Sequence, residues 1–270
     1  MKKVLYFAAV ALMLLGCNSK KDKNASENDD VATVTSDTED TSMEVADFNI
    51  TPISHATMVL EWEGKTIYVD PVGGAEAFAG MESPDLILIS DIHGDHLNAE
   101  TVTAVIADGT GIIAPKAVAD KLPEELQSVT TILNNGANTN MKGFDGFTFE
   151  AIPMYNLREE ALKFHEKGRG NGYIIEKDGM RVYISGDTED IPEMRNLNDI
   201  DVAFVCMNLP YTMTVESAAD GVLAFKPAKI YPYHYRGTDG LSDVSKFKEL
   251  VNNGDTNIEV IQLDWYPEKE

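Results

Sequence analysis

The chain has only two cysteines, at positions 17 and 206, so no disulfide framework staples it and its stability must come from a packed core. Basic residues are also scarce. Twenty-two lysines and arginines face 45 aspartates and glutamates, a formal charge of −23. A surface of that sign repels phosphate backbones, so nucleic acid is expected neither as partner nor as substrate. No Gly-x-Ser-x-Gly occurs, which removes the serine-hydrolase elbow. No internal repeat marks a solenoid or propeller. The apolar run over residues 4–15 is too short to span a bilayer comfortably as a helix.

That run follows Lys2 and Lys3 and ends in Leu14-Leu15-Gly16-Cys17, so it reads as a secretion signal. Its ending resembles a bacterial lipobox, which implies cleavage before Cys17 and lipid on its thiol and amine. The expectation is a lipoprotein signal peptide over residues 1–16. The mature chain would then be lipid-anchored in the cell envelope, periplasmic or on the outer surface. Residues 17–47 are polar, acidic and nearly free of large apolar side chains. Such a segment cannot bury enough surface to offset its ordering entropy, so a flexible tether is expected there. Cys206 sits in the apolar run Val202-Ala203-Phe204-Val205-Cys206 and is expected to pack as a small hydrophobe.

Residues 48–270 form one domain by this reading. Strands are expected at 48–51, 57–62 and 66–69, the last two joined by the Glu63-Gly64-Lys65 turn. Further strands are expected at 86–89, 111–114, 129–133, 147–152, 172–176, 180–185, 201–206, 229–232 and 258–263. Helices are expected at 99–107 behind an Asn98 cap, from Pro115 to about Lys121, from a Thr214 cap to Phe225, and from a Ser242 cap to Val251. Hairpins dominate early and strand–helix–strand units late, which suits a mixed α/β (α+β) sandwich with its helices outside.

The chemistry concentrates in Ser90-Asp91-Ile92-His93-Gly94-Asp95-His96-Leu97, a tight turn between the strand at 86–89 and the helix at 99–107. Two imidazoles and two carboxylates within six residues are costly as ornament and fit a site for more than one divalent ion. The chain has only five histidines. His234 follows a late strand, and Asp187 follows the strand at 180–185. The strands at 172–176 and 180–185 read as an antiparallel hairpin, so His165, just before the first, and Asp187, just after the second, fall at one end.

The Asp91-x-His93-x-Asp95-His96 run, the Ser185-Gly186-Asp187-Thr188 turn and the late His234 together resemble the metallo-β-lactamase superfamily, whose usual motif is His-x-His-x-Asp-His. Ile53-Ser54-His55-Ala56 and Tyr68-Val69-Asp70-Pro71 are similar to the branch that holds L-ascorbate-6-phosphate lactonase and the N-acyl phosphatidylethanolamine-hydrolysing phospholipase D. The resemblance covers about residues 48–264. It implies a four-layer αββα sandwich with two divalent ions, zinc or manganese, or iron. One ion would be held by Asp91, His93 and a loop residue, the other by Asp95, His96 and His234, with Asp187 between them. His165 and Asn156 compete as the loop residue, and His165 is preferred because a neutral amide is a poor zinc ligand.

Asp91 stands where the family has histidine. Three carboxylates against two divalent ions leave one net positive charge where two carboxylates would leave two, which weakens acidification of bound water and favours harder ions such as manganese or iron. The implied activity is hydrolysis of a small ester, lactone or phosphodiester by a hydroxide shared between the ions. Asp95 would position the water, and Tyr235 or Arg236 would steady developing negative charge. His55 and Asp70 would orient ligands from behind, and residues 208–213 would wall the substrate pocket. The alternative is a non-catalytic envelope binding protein with a degenerate site, which the departure at Asp91 keeps open.

Overall fold

A computed structural model describes residues 47–267. The expected leader and nearly all of the tether fall outside the described residues. The first sheet contains β1 (Phe48–Ser54), β2 (Thr57–Trp62), β3 (Lys65–Val69), β4 (Leu86–Leu88), β5 (Gly111–Ala114) and β6 (Thr130–Ile132), in that spatial order. Its helices are α1 (Ala99–Val105), α2 (Lys116–Ala119) and α3 (Glu124–Gln127). The second sheet runs β15-β12-β11-β10-β9-β8-β7. Its strands are β7 (Asn138–Thr139), β8 (Phe147–Met154), β9 (Gly170–Lys177), β10 (Met180–Ile184), β11 (Val202–Cys206), β12 (Lys229–Tyr233) and β15 (Glu259–Val260), with a small hairpin of β13 (Arg236–Gly237) and β14 (Gly240–Leu241). Helices α4 (Pro192–Arg195), α5 (Val215–Phe225) and α6 (Val244–Gly254) belong to this half.

The four layers follow from alternation along the strands. In β2 to β4, Met58, Leu60, Trp62, Ile67, Val69, Leu86 and Leu88 face the second sheet, while Val59, Tyr68 and Ile87 face out beneath α1 and α2 with Val102 and Val118. Strands buried on both faces read as continuous apolar runs, which is why Leu86-Ile87-Leu88 shows no polar alternation. The second sheet meets the first through Phe147 and Phe149, with Trp62 edge-on to Phe147 at 5.3 Å. Its part of the core also takes in Ala218, Val222 and Phe225 of α5 and Phe247 and Val251 of α6. Each such valine or phenylalanine side chain contributes roughly 1.5–3 kcal/mol by leaving water.

Several boundaries differ from the sequence expectation. α6 is capped by Asp243, whose carboxylate accepts from Lys246 N at 2.9 Å, and not by Ser242, whose hydroxyl donates to Met207 O. The last strand shrinks from 258–263 to Glu259–Val260, which pair with Lys229 and Ile230 of β12. α1 stops at Val105 because Ile106 is already extended. The one-turn helix α3 and the two-residue β7 carry too little periodicity to be seen in sequence.

Parallel pairing sets the working end. β3, β4 and β5 are parallel in one sheet, and β10, β11 and β12 in the other. The loops leaving β3, β4, β10, β11 and β12 carry Asp70, the Asp91–His96 turn, Asp187, Asn208 and His234. Ligand sites of parallel sheets lie beyond the carboxyl ends of their strands.

Candidate metal centre

Asn98 accepts from Thr101 N at 2.7 Å and starts α1, so the chain between β4 and α1 must close into a tight turn. Leu97 N and His96 N both bond His93 O, at 2.8 and 3.0 Å, which turns the four chemical side chains to one side. The other sheet approaches this turn closely. Asn171 N donates to Ser90 O at 2.9 Å, and a Cβ at Gly170 would stand 2.9 Å from that same oxygen. Gly186 has φ +61°, and a Cβ there would meet Met154 sulfur at 2.6 Å, so the turn into Asp187 requires glycine. His234 holds φ +45° without being glycine, backbone strain of the kind that collects at functional sites.

All seven expected ligands converge. Asp187 Oδ2 lies 3.3 Å from His96 Nε2 and 3.2 Å from His165 Nε2, and Asp187 Oδ1 lies 3.3 Å from His234 Nε2. His234 Nε2 is also 3.3 Å from Asp95 Oδ2. On the other flank, His93 Nδ1 is 2.9 Å from Asp91 Oδ2, which is 4.0 Å from His165 Nε2. Three trios offer donor atoms mutually within 4.8 Å: His96, Asp187 and His234; Asp91, His93 and His165; and, at the mouth of the cleft, His55, Asp95 and His234.

The donors fit an ion better than they fit each other. His96 Nε2, His165 Nε2 and Asp187 Oδ1 are buried and have no hydrogen-bond partner. Leaving one such atom unsatisfied costs about 1–3 kcal/mol, and three in one place are not a stable end state of the side chains alone. Separations of 3.2–3.3 Å are close to the roughly 3.4 Å edge of a tetrahedron with zinc–donor bonds near 2.1 Å.

Electrostatics hold the donors ready. Burial raises the Asp187 pKa, but His234, His96 and His165 outweigh it and hold the carboxyl well below the usual carboxylate range. Asp95 is likewise kept ionised against burial by His234 and His96. Burial pushes His96 down, yet Asp187 and Asp70 together carry it well above the ordinary histidine value, and His234 is raised against burial by Asp187 and Asp95. In the metal-free protein the raised histidines contribute stability that is full below the unfolded histidine pKa of about 6.5 and is lost as pH rises through their folded values. The lowered carboxylates contribute stability present above about pH 3.9 and lost below it. Ion binding needs neutral imidazoles, so loading should release protons, and apparent affinity should climb with pH across the neutral range. Calorimetric titration in buffers of different ionisation enthalpy measures this directly; loading with no proton release would contradict the pairing.

The carboxylate behind His96 is Asp70. It is fully buried, its Oδ2 lies 2.8 Å from His96 Nδ1, and it accepts from Ser90 N at 2.7 Å and Ser90 Oγ at 2.6 Å. A proton on Nδ1 leaves the Nε2 lone pair for an ion. His165 is set the same way, its Nδ1 lying 3.2 Å from Tyr211 O. Asn156 lies behind that ring and not beside Asp187. Its Nδ2 donates to Ala161 O and Tyr211 O, at 2.8 and 2.7 Å.

A cleft of about 410 Å³ opens over the centre, with His55, Asp95, Phe164, Asn208, Tyr211 and Arg236 in its walls. This is the size of a small-molecule site. Asn208 and Tyr211 bring the expected 208–213 wall to it. His55 packs edge-on against His234 at 5.4 Å. Tyr235 is not brought to the cleft: it is buried, with its ring edge-on to Tyr266 at 4.9 Å. Cys206 is fully buried, and burial pushes its thiol up to about 12, so it packs as an inert group.

Arg169 is the residue the sequence reading missed. Its Nε donates to Asp91 Oδ1 at 3.0 Å, and its Nη2 donates to Asp91 Oδ2 at 2.8 Å and to Phe164 O at 2.5 Å. In sequence Gly168-Arg169-Gly170 shows only turn chemistry. The surplus of negative charge around Asp91 was the available signal that a cation must come from somewhere.

A mixed sandwich with a His/Asp centre at the strand ends defines a class, the metal-dependent hydrolases of the metallo-β-lactamase superfamily. Comparison with known families agrees. Residues 49–234 match the Beta-lactamase superfamily domain, and the chain belongs to that family. It is 33% identical over 198 residues to the UPF0173 metal-dependent hydrolase of Thermococcus onnurineus, covering 70% of this chain and 86% of that protein. A crystal structure described as a metal-dependent hydrolase from Parabacteroides distasonis superposes with a TM-score of 0.72 at 38% identity, covering 81% of this chain and 94% of the other. Igni18, a metallo hydrolase from Ignicoccus hospitalis, shares the fold at a TM-score of 0.67 and 22% identity, over 80% and 94% of the two chains.

Proposed function

We propose that the protein hydrolyses a small, negatively charged ester, lactone or phosphodiester at a centre of two divalent ions, zinc or manganese, with iron as the third candidate. The observation that carries this reading is the set of unpartnered buried donors, His96 Nε2, His165 Nε2 and Asp187 Oδ1, beneath an open cleft. One ion would be held by Asp95, His96 and His234, the other by Asp91, His93 and His165, with Asp187 reaching both. When bound, the ions supply Lewis-acid polarisation of the scissile group and a more acidic water. The superfamily's name does not supply the substrate, because one fold hosts many reactions.

The chain's own groups do the rest. Asp95 is the exposed carboxylate of the set, 41% open to the cleft, and is kept ionised by His234 and His96. Its Oδ2 would orient the attacking water and pass on its proton. Asp70 and Tyr211 O fix the rings of His96 and His165. Arg236 faces the cleft and stacks 4.2 Å over Tyr266. Arg158, Arg169, Arg181 and Arg195 each have a carboxylate within 4.0 Å, and among the described residues Arg236 has none. An unpaired guanidinium in so acidic a chain supports an anionic group on the substrate.

A chromogenic panel tests the reading. Phosphodiesters, lactones and esters, the esters as anionic and neutral pairs, would be assayed on stripped protein with zinc or manganese restored. Metal-dependent turnover of at least one class is expected. Arg236→Met should lower kcat/KM for the anionic member about 10–100-fold, the worth of a charge-assisted hydrogen bond, and leave the neutral one nearly unchanged. Silence across the panel with ions bound would favour the non-catalytic binding protein instead.

For location, the lipid anchor at Cys17 remains our proposal, with the catalytic domain in the cell envelope. Cys17→Ser is expected to move the chain from the membrane fraction to the soluble one, and unchanged fractionation would count against it.

A further inference from the structure

Among the carboxylates of the centre, Asp91 is the one that an arginine already holds. Its side chain is fully buried, and both oxygens lie in the fork of Arg169, at 3.0 and 2.8 Å, with His93 Nδ1 a further 2.9 Å from Oδ2. His96 Nε2 and Asp187 Oδ1 are equally buried but have no partner. The guanidinium is only 17% exposed and is stapled to its own loop through Phe164 O. It cannot shed its proton.

We infer that the two cation positions are unequal and that Arg169 sets the difference by competing for Asp91. An ion entering beside His96, Asp187 and His234 meets two lone pairs that nothing else claims, on His96 Nε2 and Asp187 Oδ1, and a third on His234 Nε2 that no cationic side chain holds, only the neutral amide of Asn208 at 3.3 Å. An ion entering beside Asp91, His93 and His165 must share Asp91 with a fixed positive charge. The first position loads tightly and the second loosely. The pair also changes the charge count. Asp91 with Arg169 is neutral, as an imidazole would be, so position 91 keeps an oxygen donor without adding net negative charge. The surplus carboxylate that sequence counting assigns to the centre is cancelled from a loop nearly 80 residues away. This rests on the two-ion reading of the site, and the experiment separates the two.

The full chain, stripped with a chelator, would be titrated with zinc alone and then manganese alone, by calorimetry and by equilibrium dialysis with metal analysis. Wild type should load in two steps whose Kd values differ at least tenfold. His165→Ala should remove the weaker step and spare the tighter. Arg169→Met should tighten the weaker step at least tenfold and move the tighter one less than threefold. Should Arg169→Met fail to fold with a buried carboxylate unpaired, Asp91→His with Arg169→Met removes both charges together and should give two steps of similar affinity. Equal steps in wild type, or a weaker second step in either folded variant, would overturn the inference while leaving a two-ion centre intact. No ion bound by wild type at all would overturn the centre itself.

Discussion

Asp187→Ala is expected to empty the metal centre and to lower metal-dependent turnover at least about 10³-fold, a loss of roughly 4 kcal/mol of transition-state stabilisation. Among the described residues, Asp187 is the only group whose carboxylate reaches His96, His165 and His234, at 3.3, 3.2 and 3.3 Å. Removing any single histidine leaves its trio with two donors, whereas removing Asp187 weakens both positions at once. The variant should also lose stability before any ion is added. Three buried imidazoles lose their shared anion, and breaking a buried pair by deleting one partner costs about 3–5 kcal/mol. For a chain of this size that is roughly 10 °C in Tm. Metal analysis and thermal melts of stripped protein read the two effects separately. Full metal content in the variant would show that Asp187 is a neighbour of the ions and not a ligand.

How much of this was readable in the sequence depends on how each residue reaches the centre. Asp91, His93, Asp95 and His96 share one turn, so adjacency in the chain is enough. His165 and Asp187 flank a hairpin, and the pairing of Met180 with Lys177 brings their ends together by antiparallel geometry alone. His234 needed only a strand end. Arg169 needed more, because its place depends on the course of the irregular segment between β8 and β9, where no period constrains the path. Tyr235 was not placeable from a strand period, because β12 ends at Tyr233 and His234 turns left-handed at φ +45°; Tyr233 and Tyr235 pack against Trp265 and Tyr266. The αββα layering was legible because apolar runs of fixed period do not depend on loops. The caps and last strand were not, since one residue decides a cap and neighbouring strand length decides an edge.

Asp70→Asn should weaken ion binding about 10–100-fold while leaving the fold standing, the penalty expected when a carboxylate behind a metal-bound histidine is lost. The change is nearly isosteric, so packing is kept, and the argument turns on one proton. Asp70 Oδ1 accepts from Ser90 N, and an amide oxygen there preserves that bond. The amide nitrogen then replaces Oδ2, 2.8 Å from His96 Nδ1 and 2.6 Å from Ser90 Oγ. A donor in that place forces Nδ1 to accept, which moves the imidazole proton to Nε2, the atom that faces Asp187. The ring keeps its position and presents the wrong tautomer. Asp70→Ala should bind ions as poorly and in addition lose about 1–3 kcal/mol, because Ser90 N is left buried without a partner and His96 Nδ1 keeps only Ser90 Oγ, 2.9 Å away. Nitrogen-15 shifts of His96 in the stripped protein, taken at a pH above the raised value at which its imidazolium gives up a proton, report the tautomer, and metal titration reports the affinity. If Asp70→Asn binds zinc as tightly as wild type with Nε2 protonated beforehand, the hydrogen bond from Asp70 does not prepare the centre, and the orientation of His96 must come from packing alone.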